Sequence, residues 1–191
     1  MDAERGRAFA FSKGIHTIDI RHLRELVASF HDTLSEIVHQ FQVLFGTYPR
    51  GACGHGSEML GYHLLTVHAV ETTYCNGETH NPHFQSHAWL EYGNVIIDIT
   101  CCQFDNCLFP CPYVDVDDSW HKRWKAKRRP IQIVIGGMCY WEPAYKKLLS
   151  VLPPSRTVRI LHSILERKRD GSSQIQGNKP ARKLHVRARA E

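Results

Sequence analysis

The stretch that most constrains the fold of this chain is residues 87–100, HAWLEYGNVIIDIT. Its Gly93-Asn94 pair fits a two-residue type II′ turn, in which glycine adopts the positive φ that other residues avoid. Such a turn places Tyr92 opposite Val95, and every further pair then lies one residue farther along each strand. The segment is therefore predicted to be a β-hairpin of defined register.

The predicted register divides the hairpin side chains between two faces. The face expected to pack in the core carries Ala88, Leu90, Tyr92, Val95, Ile97 and Ile99. The other face, expected to point away from that core, carries His87, Trp89, Glu91, Ile96, Asp98 and Thr100. On this second face His87 and Asp98 are diagonal neighbours about 7 Å apart at Cα, which allows a hydrogen bond between their side chains.

A cysteine precedes the hairpin at the predicted start of a helix. Residues 46–51 contain two glycines and a proline that interrupt regular structure. After them an apolar stripe at helical spacing is formed by Met59, Leu60, Leu64 and Val67. This places Cys53 at a helix N-terminus, where unpaired N–H groups and a neighbouring imidazolium lower a thiol pKa below its usual value near 8.5.

These three side chains are the predicted catalytic residues: Cys53, His87 and Asp98. Cys53 is expected to be a thiolate nucleophile, His87 its ion-pair partner and the proton donor to the leaving group, and Asp98 the group that orients His87. The backbone N–H of Cys53 is the expected first oxyanion donor, and Gln42 or Tyr48 is considered for the second. No cofactor and no metal are required by this chemistry.

The motifs resemble those of the transglutaminase-like branch of the papain-like cysteine-nucleophile superfamily. The shared pattern is a glycine-flanked cysteine opening a helix, a Tyr-x-x-Gly segment, His-Ala-Trp-x-Glu and Asp-x-Thr. In this chain the pattern covers residues about 46–105, with Cys53, Tyr74, Gly77 and the segments 87–91 and 98–100 as matches. Ile99 stands where the family often has proline.

The resemblance implies an α+β fold of the papain-like/transglutaminase-like kind, in which the nucleophile helix packs on an antiparallel sheet that carries the histidine and the aspartate. It also implies an enzyme that acts on amide or acyl bonds through a thioester acyl-enzyme, with a protein or peptide as substrate. Peptidases, deamidases and transglutaminase-type acyltransferases share these features, and arylamine acetyltransferases have a similar triad. The choice among these activities stays open.

The remaining elements are predicted from periodicity and breakers. Residues 19–45 read as one long amphipathic helix with Asp19 as N-cap, or as two helices with a break. Residues 70–78 read as a strand ended by Asn76-Gly77, and residues 130–137 as another. Two closing helices are predicted at residues 142–152 and 155–169, and a single domain is predicted for residues 1–167. Residues 168–191 are predicted to be a basic, disordered tail.

Two other functions compete with catalysis. Cys101, Cys102, Cys107 and Cys111, with nearby histidines, offer zinc ligands for a metal-stabilised scaffold, although no C-x-x-C pair is present. Residues 121–129 and the tail offer basic side chains for nucleic acid or another acidic partner, although a solvated linker is the favoured interpretation of 121–129. Residues 168–191 hold seven Lys or Arg and two acids, so seventeen basic and seventeen acidic residues balance in residues 1–167.

Composition decides the expected compartment. The chain has 191 residues and 42% hydrophobic content, enough for one sizeable core. No apolar run approaches the roughly 20 residues that cross a bilayer, and residues 1–13 lack the pattern of a secretory signal. The seven cysteines are odd in number, which favours reduced thiols. A cytoplasmic location without membrane association is predicted, and the oligomeric state stays open.

Overall fold

A computed structural model of the chain describes residues 18–80, 83–131 and 140–153. The chain divides into two units, residues 1–152 and 153–191, and the elements described below belong to the first. The predicted second closing helix, the basic tail 168–191 and residues 132–137 of a predicted strand lie outside the described residues.

Four helices occur in the described residues: α1, Ile20–Ile37; α2, Gln42–Phe45; α3, Cys53–His68; and α4, Glu142–Val151. Asp19 occupies the N-cap of α1, as predicted. A 3-10 turn at Val38–Gln40 separates α1 from α2, so the alternative with a break is correct. None of the described helices combines the length and the apolarity needed to cross a bilayer.

Five strands of the described residues form one antiparallel sheet: β1, Thr73–Thr79; β2, Gln85–Tyr92; β3, Val95–Asp98; β4, Tyr113–Asp115; and β5, Lys125–Pro130. Their order across the sheet is β4-β3-β2-β1-β5. The predicted α+β class with an antiparallel sheet is therefore confirmed.

The β2-β3 hairpin has the predicted register. Tyr92 pairs with Val95 and Leu90 with Ile97. Gly93 has a φ of +58°, and Ala69 is the one non-glycine residue with positive φ in the described part of the chain. A positive φ at the first turn position alone is the pattern of a type II′ turn.

One strand prediction is wrong in its bounds, and one segment interpreted as a linker is a strand. β1 does not end at Asn76-Gly77 but continues to Thr79. Gly77 is paired with His87 inside the ladder, and a Cβ there would lie 2.6 Å from Cβ of Trp124, so the glycine provides room for a ring packed on the sheet. β5 lies in the basic segment before Pro130, which had been interpreted as a linker. Its charged side chains suit an exposed edge strand. They also remove the alternation of apolar and polar residues by which a strand is predicted from sequence.

Both faces of the sheet are covered, which corrects the expectation that the face of His87 points away from a core. The predicted apolar face, with Ala88, Leu90 and Ile97, packs against α1, α3 and α4. The opposite face belongs to a second cluster of buried residues, which are Cys75, Trp89, Ile96, Cys101, Tyr113 and Trp124. The segment that supplies this cover, residues 101–124, has no periodic pattern that would have revealed it.

Candidate active site

The predicted histidine and aspartate are joined by a short hydrogen bond. His87 Nε2 donates to Asp98 Oδ2 at 2.6 Å, and neither side chain is exposed to solvent. The register of the hairpin places them as diagonal neighbours, as expected. The second carboxylate oxygen, Oδ1, accepts the backbone N–H of Thr100 at 2.9 Å and its hydroxyl at 3.4 Å. Both carboxylate oxygens of Asp98 are therefore held by hydrogen bonds, and Asp98 holds the ring of His87 in one orientation.

The predicted nucleophile is brought to the same point by α3. Cys53 is the first residue of that helix, and its half-buried thiol is hydrogen-bonded to His87. Since Asp98 occupies Nε2, the thiol faces Nδ1, the remaining ring nitrogen. No acidic residue stands in the first turn of α3, so the positive end of the helix acts on the thiol without compensation.

The backbone of Ala88 positions the helix against the sheet. The hairpin register would pair Ala88 with Ile99, but β3 ends at Asp98. The backbone groups of Ala88 are used by α3 instead: the Ser57 hydroxyl donates to its carbonyl at 3.1 Å, and its N–H donates to the thiol of Cys53. The early end of β3 therefore makes room for the nucleophile beside His87.

The charges of the three groups support one another. Burial raises the pKa of the Cys53 thiol, but the hydrogen bond and the charge of His87 outweigh burial and the pKa is lowered overall. Burial lowers the pKa of His87, but the charge of Asp98 and hydrogen bonds to Asp98 and Cys53 raise it to about 9. Burial alone would raise the pKa of Asp98, yet both His87 and His121 hold it well below its usual range. The interactions among the three groups thus shift Cys53 toward the thiolate and His87 toward the imidazolium.

An aromatic roof, defined as Trp89, Phe104, Trp120 and Trp124, surrounds the ring of His87. The centroid distances from His87 to these rings are 5.8, 5.0, 5.6 and 5.4 Å in that order. Ring faces attract an imidazolium and exclude water from its bond to the carboxylate. From the sequence, shielding of the His87–Asp98 hydrogen bond and ordinary packing explain Trp89 equally well. In the structure Trp89 both shields that bond and packs in the core.

His121 is a member of the site that sequence reasoning missed. Its Nε2 donates to the same Asp98 oxygen at 2.9 Å, and the side chain is 2% exposed. Its Nδ1 is buried with no hydrogen-bond partner. The residue lies within the basic run 121–129, and nothing in the sequence of that run indicates that its histidine is a hydrogen-bond partner of Asp98.

Gln103 is the second functional candidate absent from the sequence predictions. It lies in a 3-10 turn that follows β3, with Nε2 3.3 Å from Nδ1 of His87 and a hydrogen bond to the thiol of Cys53. The residues considered earlier as oxyanion donors lie elsewhere. Gln42 is exposed on α2, and the Tyr48 hydroxyl donates to the carbonyl of Ile99 at 3.3 Å.

The four cysteines of residues 101–111 do not form the zinc site that was considered. They are free thiols, and Cys101 and Cys111 each donate to a backbone carbonyl at 3.4 Å. Within the described residues, one group of potential ligand atoms lies within 4.8 Å of one another: His87, Asp98 and His121. Both imidazoles of that group already donate a proton to one carboxylate oxygen, and a metal would have to displace both protons in a fully buried space.

The basic run 121–129 is a 3-10 turn followed by the edge strand β5, and not a linker. Arg128 donates to both oxygens of Glu91 at 2.9 Å, Arg129 is paired with Glu58, and Lys122 is paired with Asp118. Half of the six Lys and Arg side chains in the run therefore have carboxylate partners. These contacts favour a structural role for the run over phosphate binding.

No family model, curated protein or solved structure matches this chain. The interpretation of the site therefore depends on its own geometry.

Proposed function

We propose that this protein is a cysteine-nucleophile enzyme that acts on amide or acyl bonds through a thioester acyl-enzyme. The observation that carries the proposal is the continuous chain of contacts from the Cys53 thiol through both ring nitrogens of His87 to buried Asp98. A structural cysteine would need none of these contacts. Half-exposure of Cys53 beside two buried partners gives a substrate access to sulfur while the proton carrier stays dry.

The fold proposed with this activity is the transglutaminase-like branch of the papain-like superfamily. Its support is the arrangement of the elements: the nucleophile opens α3, and the histidine and aspartate stand on adjacent antiparallel strands β2 and β3. The orientation of His87, with Nδ1 toward sulfur and Nε2 toward the carboxylate, suits that chemistry.

The proposed reaction has two halves that balance in atoms and charge. The thiolate of Cys53 attacks the acyl carbon, and the carbonyl electron pair moves onto oxygen. When the tetrahedral intermediate collapses, the leaving amine takes the proton from Nδ1 of His87 and a thioester remains. Water or a second amine then attacks the thioester and returns a proton to His87. The products are an acid or a new amide and the free thiolate.

A protein or peptide is the proposed substrate, and the cytoplasm, where free thiols persist, is the proposed location. Peptidase, deamidase and acyltransferase activities all follow from the same acyl-enzyme. The group that resolves the thioester distinguishes them.

The first experiment measures alkylation of each cysteine by iodoacetamide between pH 5 and 10, with sites read by peptide mass spectrometry. Cys53 is expected to react with a pKa below 8.5, and His87→Ala should return that pKa to 8.5 or above because the counter-charge is lost. Cys102 is an internal control: it is exposed, but its hydrogen bond to Cys111 and its partial burial raise the pKa of its thiol. Exposure alone would make Cys102 the faster site, whereas the ion pair makes Cys53 faster.

The second readout is acylation by 4-nitrophenyl acetate, which leaves an acetyl group on the nucleophile. We expect acetyl-Cys53 and a burst of 4-nitrophenolate in the wild type, and neither in Cys53→Ala. A normal thiol pKa at Cys53 that does not respond to His87→Ala, together with acetylation unaffected by Cys53→Ala, would remove the basis of the proposal.

A further inference from the structure

We propose that Gln103 is a catalytic residue that donates a hydrogen bond to the oxyanion formed when Cys53 attacks an acyl carbon. This inference rests on the proposed function and assigns the second donor of its oxyanion hole. Oxyanion donors must lie beside the nucleophilic sulfur and carry an N–H that is free when the intermediate forms.

The orientation of the Gln103 amide is fixed by a backbone contact. The N–H of Gly51, in the loop that leads into α3, donates to Oε1 of Gln103 at 3.3 Å. Oε1 is therefore directed to the loop, and Nε2 to His87 and Cys53. The amide presents its N–H donors to His87 and the thiol, and no carbonyl that would repel an anion.

One proton of Nε2 becomes available when the site is charged. With neutral His87, the lone pair of Nδ1 is an acceptor 3.3 Å from Nε2 of Gln103, and the thiol of Cys53 competes for it. With His87 protonated, Nδ1 carries its own hydrogen, so the N–H of the amide that faced Nδ1 loses that acceptor. Formation of the ion pair thus frees the donor at the stage at which an oxyanion is about to form.

The backbone N–H of Cys53 completes a two-donor site. It belongs to the first turn of α3, where N–H groups have no intrahelical acceptor, and none of the hydrogen bonds found among the described residues uses it. Gln103 reaches the same sulfur from the turn after β3, so the two donors come from separate segments of the chain. The helix N-terminus and a fixed side-chain amide together form the hole.

The test compares two reactions of Cys53 that differ in one respect. Acetylation by 4-nitrophenyl acetate passes through an oxyanion, whereas alkylation by iodoacetamide displaces iodide and forms none. Gln103→Met keeps the length of the side chain and removes both donors. We expect its acetylation rate to fall about 100-fold, the usual effect of one oxyanion donor, and its alkylation rate, compared at saturating pH, to change less than threefold. Gln42→Ala, which alters an exposed amide on α2, is the matched control and should change neither rate.

Each other outcome contradicts the inference. Equal losses in both reactions would show that Gln103 only positions His87 or the loop of Gly51, and unchanged acetylation would show that it has no role in catalysis. Gln103→Ala provides a second variant if the methionine does not fold. The wild-type alkylation pKa of Cys53 is read in the same experiment, so failure of the ion pair, which concerns the proposed function, is distinguished from failure of the oxyanion donor.

Discussion

Asp98→Asn should abolish the thiolate at Cys53 although the substitution touches neither Cys53 nor α3. Wild-type His87 has its pKa raised from 6.5 to about 9 despite burial. At 1.36 kcal/mol per pKa unit this difference corresponds to about 3 kcal/mol in favour of the imidazolium. Without the carboxylate charge the burial remains and only Cys53 still favours the imidazolium, so the pKa of His87 should fall and the thiol should keep its proton at neutral pH.

The amide of asparagine also has the wrong donors. In the wild type Oδ1 accepts from Thr100 and Oδ2 accepts from both His87 and His121. An amide can offer an acceptor on one side only. In one orientation the NH2 group of the asparagine faces the N–H of Thr100, so that two donors oppose each other. Turned the other way, it forces the proton of His87 onto Nδ1, which can then no longer accept a proton from the thiol.

The assay is the rate of Cys53 alkylation by iodoacetamide against pH. A thiol of ordinary pKa is about 1% ionised two units below that pKa, so at pH 6.5 the variant should react roughly 100-fold more slowly than a wild type that holds the ion pair. Asp105→Asn, at an exposed position shortly after Gln103, should leave the profile unchanged. An acid limb in Asp98→Asn within half a pH unit of the wild type would refute the electrostatic argument.

Two further predictions concern stability. Burial lowers the pKa of His63 from 6.5 to about 4, so the unfolded chain binds a proton at a higher pH than the folded chain does, and about 3 kcal/mol of stability should be lost between pH 6.5 and 4. The free energy of unfolding of His63→Phe, measured in urea, should depend less steeply on pH. An equally steep dependence would contradict the assignment. Gly77→Ala should lower the free energy of unfolding, measured in urea, by about 1–3 kcal/mol because the added Cβ meets Trp124. Gly54→Ala is the control and should not destabilise the protein, since the nearest neighbour of its Cβ would lie at 3.6 Å. Equal effects of the two substitutions would contradict the packing argument.

The hairpin and the three predicted site residues could be derived from the sequence because their positions follow from local rules. A two-residue turn fixes every pair of β2 and β3, and the diagonal of His87 and Asp98 follows from it. Breakers before Cys53 fix the start of α3 in the same way. Contact between Cys53 and the hairpin depends on tertiary packing, which local rules do not predict. It was expected from the resemblance to the family pattern.

The rest of the site could not be read because it comes from irregular structure. Gln103 and His121 lie in 3-10 turns whose directions depend on long-range packing. Strict alternation predicts which residues share a face, but it cannot say what covers that face. The aromatic roof therefore appeared only in the structure, and so did the edge strand β5, whose lysines and arginines give no apolar alternation. The nearest sequence signal was the density of tryptophans in residues 120–124.

The bonds between Ala88 and α3 have an evolutionary consequence. The sheet holds Cys53 and Ser57 of α3 through the N–H and the carbonyl of residue 88, which every amino acid supplies, except that proline lacks the N–H. Alignment of the thiol with the sheet is thus inherited with the main chain and requires few side chains beyond Cys53 and Ser57. Variants of the chain that keep a thiol and a hydroxyl one helical turn apart can change the surrounding loops without losing the position of the sulfur.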